Sequence, residues 1–278
     1  MICALRSSFF RLFRTGLFAK IILFSLLIGA VVIFNYCSHD LLMYVLRRPR
    51  YLDNTFIIGC ILKLVYVIPF VSAVFCMMYT GSDISFRAIN NRITTGISRV
   101  HIYIADLAVS VLSTLVSVAV MSLLFYVFAK TIPEKENVKI NGYIAGLLFS
   151  VALICVAFAA VYTLMQFFLG NKFLGLVISL LIIPCLALST EAVERKLQEP
   201  YRNSYVNEET GMSYWDLNPN YAGGTERKLL TLYYNTSPYS FGFASEDKDY
   251  PEETAAAGVI VLLSTAAGVI SIRKKEYP

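Results

Sequence analysis

Apolar residues occur in long blocks along this chain, and short polar segments separate the blocks. A helix needs roughly 20 mainly apolar residues to cross about 30 Å of hydrocarbon. Six blocks reach or nearly reach this length, and the two shortest contain no charged residue. They lie at residues 17–37, 56–79, 102–129, 142–168, 173–190 and 255–272. The pattern predicts an all-α polytopic membrane protein with six transmembrane helices, forming a single membrane domain over residues 1–278.

The segment before the first block, SSFFRLFRTGLFAK at residues 7–20, mixes Phe and Leu with three basic residues. This composition favours an N-terminal amphipathic helix on the inner membrane surface, and a merely basic flank is the alternative. No small-residue cleavage site follows the long apolar run, so we expect the first block to be a retained span rather than a secretory signal.

Composition and charge exclude a soluble domain and predict an orientation. Hydrophobic residues make up 57% of the chain, charged residues only 15%, and the mean hydropathy is +0.62. With the amino terminus inside, the inner segments carry eleven Lys or Arg against three Asp or Glu. Cytoplasmic loops are enriched in basic residues. We therefore predict that both termini are cytoplasmic.

A polar stretch of regular spacing connects the second and third blocks, with the sequence GSDISFRAINNRITTGISRVHIYIADL at residues 81–107. Phe86, Ile89 and Ile93 recur at three- and four-residue intervals, which places them on one face of a helix. Ser82 or Asp83 can cap the start of that helix. The pattern predicts a short cytoplasmic helix at residues 83–95.

The residues after this helix predict a tight turn into the third span. Gly96 stands where a helix ends in a left-handed residue. Ser98 can cap the next helix, and Ile97 and Ile102 flank that cap at the spacing of a hydrophobic staple.

These residues carry a resemblance to a known family. The stretch resembles the coupling helix of ABC-2 type permeases, the membrane subunits of one class of ATP-binding-cassette exporter. The family pattern is a small residue, Ile, Ser and Arg, then an apolar residue and Tyr; it is matched by Gly96, Ile97, Ser98, Arg99, Ile102 and Tyr103. The chain departs from the family at Asp106, where a basic residue is usual. The order of basic amphipathic lead-in and six spans with inside termini is also similar to the family.

The resemblance implies a docking helix for an ATPase. The implied ATPase contacts are Arg87, Asn90, Asn91, Arg92, Thr94 and Arg99. The residues that set the geometry of the helix are Phe86, Ile89, Ile93, Gly96 and Ser98. Arg99 is expected to pair either with an acidic group on the ATPase or with a lipid phosphate. An ordinary surface-anchored loop helix is the alternative.

Nucleotide chemistry is expected on another chain. No segment matches G-x-x-x-x-G-K-[ST], so the sequence lacks this phosphate-binding loop. The resemblance implies a permease without enzymatic activity, cofactor, metal or catalytic residues, with ATP and Mg²⁺ held by a partner ATPase. The implied partners are a second permease chain, identical or homologous, and the lipid of the membrane, with no nucleic acid. The implied location is the bacterial cell membrane. The implied cargo is hydrophobic or amphipathic, and antimicrobial peptides are one candidate.

An outer segment at residues 191–253 alternates charged runs with aromatic residues. ERKLLTLYYN suits an interfacial helix, and LNPNYAGG is a loop by its Pro and Gly content. The aromatic residues either anchor in the headgroup layer or form an extracytoplasmic lid over an exit path. The candidates for the lid are Tyr214, Trp215, Tyr233 and Tyr234.

Two other classes of membrane protein make different demands on the spans. A secondary transporter is expected to have polar groups at the midplane and broken helices, and the spans show little of either. An intramembrane enzyme needs a cluster of ionisable side chains, whereas the spans carry essentially Lys63 and Asp106. We expect Asp106 to be a satisfied carboxylate near the inner surface, paired with His101 or Arg99.

Overall fold

The structure is a computed structural model that describes residues 1–46, 54–85, 88–131, 142–206, 213–240 and 251–274. The helices are α1 Ile2–Arg14, α2 Leu17–Leu46, α3 Asn54–Cys76, α4 Ser82–Ser85, α5 Ala88–Thr94, α6 Arg99–Thr131, α7 Gly142–Leu169, α8 Lys172–Gln198, α9 Gly224–Thr236 and α10 Pro251–Lys274. A π-helical turn at Met77–Gly81 joins α3 to α4, and two strands, β1 Arg202–Val206 and β2 Ser213–Leu217, precede α9.

Six helices are long and apolar enough to cross a membrane, as the hydropathy pattern predicts. They are α2, α3 with its extension to Ser85, α6, α7, α8 and α10. The fifth extends past its predicted end at residue 190, because the charged stretch EAVERKL remains helical to Gln198. An ion pair one helical turn apart, between Arg195 and Glu191 at 2.5 Å, supports this extension.

Helix α7 lies at the centre of the bundle, packed against α3, α6, α8 and α10. Within its apolar window 61% of the residues are buried, whereas only 17% are buried in α8. The outward faces of α2, α8 and α10 carry large apolar side chains that are exposed in the single chain. Helices that satisfy their own backbone hydrogen bonds can present such faces to lipid.

The predicted helix at residues 83–95 is only partly correct. Helix α4 begins at Ser82, but it is not a separate helix, because α3 continues into it through the π-helical turn. A π turn is a local widening of a continuing helix, so no cap is needed at Ser82 or Asp83. The second half of the prediction is α5. Phe86 and Arg87, which were predicted to lie on this helix, fall outside the described residues.

The amino-terminal helix is also shifted relative to its predicted bounds of 7–20. Helix α1 ends at Arg14, and α2 begins at Leu17. Gly16 between them has φ +66°, a left-handed conformation that ends a helix without strain only in glycine. Ala4, Ser8 and Leu12 repeat every four residues and form the buried face of α1.

A β-hairpin adds two short strands to the predicted helical architecture. Strands β1 and β2 are antiparallel, and Ser204 lies opposite Trp215 in their register. Because the segment ERKLLTLYYN belongs to α9, its prediction as a helix is confirmed. The stretch LNPNYAGG forms the connection between β2 and α9, as its Pro and Gly content predicts.

Candidate functional site at the α1, α5 and α6 end

Helix α5 lies against the bundle with its predicted apolar stripe facing inward. Ile89 is buried and packs in one cluster with Ile93, Ile102 and Ile272. These neighbours belong to α5, to the start of α6 and to the end of α10, so all three elements meet at one end of the bundle. Asn91 on the opposite face is exposed.

The turn after α5 has the predicted left-handed glycine. Gly96 has φ +86°. Its N–H donates to the carbonyl of Ile93 at 3.0 Å, and the N–H of Ile97 donates to the carbonyl of Arg92 at 3.2 Å. This pair of bonds is a Schellman motif, which satisfies the last carbonyls of α5 and ends the helix.

Helix α6 begins with the predicted cap. The N–H of His101 donates to the Ser98 hydroxyl at 3.4 Å, and Ser98 Oγ also lies 2.9 Å from His101 Nδ1. Ile102 is buried, and Ile97 packs in the same cluster. The end of α5 and the start of α6 are therefore joined by a short turn that is closed by backbone hydrogen bonds and the Ser98 cap.

A cluster of four charged residues, Arg11, Asp83, Arg92 and Asp106, connects α1, α4, α5 and α6. Arg92 lies 3.4 Å from Asp83 and 3.3 Å from Asp106. Arg11 pairs with Asp83 and lies 3.8 Å from Asp106. Asp106 has no exposed surface, and Asp83 is also buried. We call these four residues the charge cluster; two cations and two anions give it no net charge.

Two neutral groups complete the surroundings of the charge cluster. Ser8, which is fully buried on α1, donates its hydroxyl to Asp106 at 3.0 Å. Tyr79 of the π-helical turn donates to the Ser8 carbonyl at 2.9 Å. The guanidinium of Arg11 lies 3.9 Å from the centre of the Tyr79 ring, within the range of a cation–π contact.

The electrostatics of the charge cluster favour keeping it intact. Burial lowers the pKa of the Arg11 guanidinium, and Arg92 adds to this effect, while Asp106 and Tyr79 oppose it. A guanidinium still remains charged at neutral pH. Removing one partner of a buried pair leaves an uncompensated charge and costs about 3–5 kcal/mol. The cluster therefore resists separation of α1, α5 and α6.

The charge cluster corrects two predictions made from the sequence. Arg92, assigned to the ATPase-facing set, points into the protein toward Asp83 and Asp106. Asp106 is paired through Oδ1 with Arg92, Arg11 and Ser8 rather than with His101 or Arg99, and its Oδ2 is buried without a hydrogen-bond partner, so the prediction of a satisfied carboxylate is only partly correct. The remaining described members of that set are Asn90 and Arg99, which are half-buried, and Asn91 and Thr94, which are exposed.

A row of hydroxyl groups on α6 was missed by the sequence reasoning. Ser110, Ser113, Thr114 and Ser117 are buried, and each donates to the carbonyl four residues before it. Their three- and four-residue spacing in the sequence predicts one polar helix face. Such back-bonding satisfies hydroxyls inside a membrane helix.

The same hydroxyl row connects α6 to its neighbours. Ser117 accepts from Ser25 of α2 at 3.0 Å, and Thr114 lies 2.9 Å from Ser72 of α3. Cys76 of α3 lies 3.7 Å from Ser110. Interhelical hydrogen bonds of this kind are worth about 0.6 kcal/mol each in membrane proteins, so the row contributes to packing.

Tyr103 occupies the small-residue face of α10. Its hydroxyl donates to the Ser264 carbonyl at 3.3 Å, and its ring fills the space where a side chain on Gly268 would lie. Ser264 and Gly268 have the small-x-x-x-small spacing that permits close helix contact. In the described residues this spacing serves packing within one chain.

The predicted lid residues lie at the opposite end of the bundle and do not form one group. Tyr233 is half-buried, with its hydroxyl 2.5 Å from Ser189 Oγ, and lines a cavity of about 240 Å³. Tyr234 follows it on α9; burial raises the pKa of its phenol, and Glu194 and Glu253 add to that effect. Trp215 is exposed on β2 and is not part of the cavity wall. The side chain of Tyr214 falls outside what the structure describes.

Across the described ranges, no three His, Cys, Asp or Glu side chains lie close enough to hold a metal ion.

The architecture and the membrane-length helices define the class as a multi-pass helical membrane protein. No protein-family model, curated protein or solved structure matches the chain. The more specific assignment therefore depends on the site itself.

Proposed function

We propose that this chain is the membrane subunit of an exporter whose ATPase is a separate chain that docks on α5. The observation that carries the proposal is the way α5 is held. Its inner face is buried, its end is joined to α6 by a closed turn, and Arg92 ties it to Asp83 and Asp106. A helix fixed in this way moves together with its neighbours when a partner pushes on it.

The exposed face of α5 has the chemistry of a docking surface rather than of a lipid-facing one. Asn91 and Thr94 are exposed there, and neither is charged. The same end of the bundle carries Arg6, Arg14 and Arg273, all exposed. Because cytoplasmic segments are enriched in basic residues, this end is the one we place in the cytoplasm, where ATP is available.

Movement of α5 would reach the third span through the charge cluster. Asp106 lies near the start of α6, and the hydroxyl row continues along the same helix toward α2 and α3. A push on α5 is thus passed to α6 through an ion pair and a short turn. In the proposed mechanism this is how ATPase closure shifts the spans to release a hydrophobic or amphipathic cargo outward.

A secondary transporter is the second candidate, and the buried hydroxyl row on α6 is the observation that favours it, because polar groups inside the spans are expected in that class. Each of these hydroxyls already donates to a backbone carbonyl, however, so the row is accounted for by packing. The two candidates differ in their energy source: only the exporter needs an ATPase partner.

The test is a double variant, Asn91→Glu with Thr94→Glu, that places two carboxylates on the exposed face of α5. We expect the variant to fold normally but to lose association with its ATP-binding-cassette ATPase and vanadate-sensitive ATP hydrolysis after co-expression and purification. The matched control is Thr225→Glu with Thr231→Glu on the exposed face of α9. Unchanged ATPase association and transport in the α5 variant would contradict the proposal.

The cargo is tested separately in a strain that lacks the gene. If antimicrobial peptides are exported, the deletion strain becomes more sensitive to them, and the wild-type chain restores resistance while the α5 double variant does not. Transport that persists in a strain without any ATPase partner would favour the secondary transporter.

A further inference from the structure

A groove at the α9 end of the bundle is built differently from the site at the α5 end. Helices α8 and α10 both pack against α7 but make little contact with each other in the described residues. The space between them is the cavity of about 240 Å³ that Tyr233 lines. We call it the α8–α10 groove: α7 is its floor, α8 and α10 are its walls, and residues 233–238 close one end.

The inside of the groove is apolar over most of its length. Phe158 and Val161 form the floor, and Ile182, Leu186, Ala257 and Ile260 line the walls. Ile260 is partly exposed on the outer side of α10, where large apolar residues continue along the helix. The groove therefore opens sideways, between two spans, onto a surface with the apolar character that suits lipid.

The closed end of the groove is polar and acidic. Glu253 in the first turn of α10 lines it, is only 2% exposed, and accepts a hydrogen bond from Ser240 Oγ at 3.1 Å. Ser237 and Tyr233 line the same end and are held by α8: Ser237 Oγ lies 2.5 Å from Thr190, and Tyr233 bonds to Ser189. Glu194 of α8 is close enough to act on Tyr234 together with Glu253.

This arrangement selects for one kind of occupant. An apolar trough accepts a hydrocarbon chain through van der Waals packing, because a chain that comes from the bilayer is already in an apolar surrounding. A carboxylate at the closed end favours a positive charge and disfavours an anionic headgroup, because like charges at close range repel. A sideways opening admits a molecule already dissolved in the bilayer. The three properties together describe a cationic amphiphile.

We infer that the α8–α10 groove is a binding site for a membrane-dissolved amphiphile with a cationic head, its chain along α7 and its head beside Glu253. The inference deepens the proposed function, since it names a class of cargo and a place where that cargo is held at the end of the bundle away from α5. Binding itself needs no ATPase, so it can be measured on this chain alone.

The experiment uses the full chain in phospholipid nanodiscs and a dodecylamine that carries a photoreactive diazirine in its alkyl chain. The equivalent dodecanol, which is uncharged, is the comparison probe. We expect saturable labelling by the amine, mapped by mass spectrometry to the walls of the groove at Ile182, Leu186 or Ile260. Labelling that does not saturate, or that maps only to the outer faces of α2 and α8, would overturn the inference.

Two variants on one helix separate binding in the groove from general partition into the membrane. Ala257→Trp fills the groove, whereas Ala255→Trp adds the same side chain two residues away, about 200° around the α10 axis, where the surface is exposed. Ala257→Trp is expected to abolish saturable labelling and Ala255→Trp to leave it unchanged. Leu186→Trp on the opposite wall repeats the test should Ala257→Trp fold poorly. Equal labelling of all three variants would contradict binding of the amine in the α8–α10 groove.

The role of charge is tested with Glu253→Gln, which keeps the shape of the side chain and an acceptor for Ser240. We expect affinity for the amine to fall about tenfold and affinity for the alcohol to change less than about twofold. An equal loss for both probes would overturn the cationic class. Unchanged ATPase association in the α5 variant would contradict the proposed function without altering these labelling results, so failure of the groove and failure of the proposed function are distinguishable.

Discussion

The two ends of the helix bundle use charged residues in opposite ways. At the α5 end, Arg11, Asp83, Arg92 and Asp106 are drawn into the protein and hold four helical elements together. At the α9 end two ion pairs of the described residues are on the surface: Arg195 with Glu191 along α8, and Lys196 of α8 with Glu226 of α9, all substantially exposed. Two hydroxyl pairs also join α8 to the segment around the end of α9: Thr190 with Ser237, and Ser189 with Tyr233.

The buried charges make the α5 end the better suited of the two to transmit force. A buried ion pair is costly to break, so the α5 end moves as one body. An exposed pair is worth about 0–1 kcal/mol, so the surface ion pairs contribute little to holding α9 against α8. The comparison agrees with the proposed docking of an ATPase at the α5 end.

The largest expected effect comes from Asp106→Asn, which removes one anion from the charge cluster without changing the size of the side chain. Asp83 alone would then face both Arg11 and Arg92. We expect the free energy of unfolding, measured by denaturant titration in detergent, to fall by about 3–5 kcal/mol.

Adding Arg92→Gln to Asp106→Asn restores the balance of charge within the cluster and is the control for this effect. The double variant should recover part of the lost stability, because one uncompensated guanidinium is gone. If Asp106→Asn alone loses no more stability than a surface substitution, the buried ion pairs of the α5 end are not stronger than the exposed pairs of the α9 end.

A smaller effect is expected from close packing near the α5 end. In Gly268→Ala the added methyl group meets the ring of Tyr103, whereas in Gly258→Ala on the same helix it meets no other atom within 4 Å. Overpacking should cost Gly268→Ala about 1–3 kcal/mol. Gly258→Ala should gain up to about 1 kcal/mol from helix propensity. Equal shifts of the thermal midpoint in the two variants would show that Tyr103 does not limit the approach of α6 and α10.

The smallest effect is expected at the α9 end from Glu226→Gln, which removes the partner of Lys196. Because both side chains are exposed, the loss of stability should be about 0.2–1 kcal/mol, and it should shrink further in high salt. The same denaturant titration measures it beside Asp106→Asn. A loss as large as that of Asp106→Asn would mean that the two ends are held by contacts of equal strength.

Features that depend on neighbours in the sequence were predictable at this site. The apolar stripe of α5, the left-handed Gly96 and the Ser98 cap each follow from a few adjacent residues, and each is present. The six membrane-length helices were predictable for the same reason, because a span is defined by one continuous run of apolar residues.

Features that depend on residues far apart in the sequence were not predictable. Ser8 and Asp106 are 98 positions apart, and no periodic pattern connects them. The resemblance implies that Arg92 faces the ATPase, but two buried carboxylates, Asp83 and Asp106, draw its guanidinium into the protein. The continuation of α3 into α4 and the β-hairpin were likewise decided by packing that local patterns do not encode.

The class of this protein could be predicted from its amino-acid pattern: six apolar helices, a short amphipathic helix between the second and third, and an excess of basic residues in the segments predicted to lie on one side. These follow from local transfer free energies and helix periodicity, which each segment carries alone. Which charges are buried together, and where two spans leave a groove between them, could be seen only in the folded bundle. Pairing of ions and gaps between helices depend on how separate segments meet, and that geometry exists only once the bundle has formed.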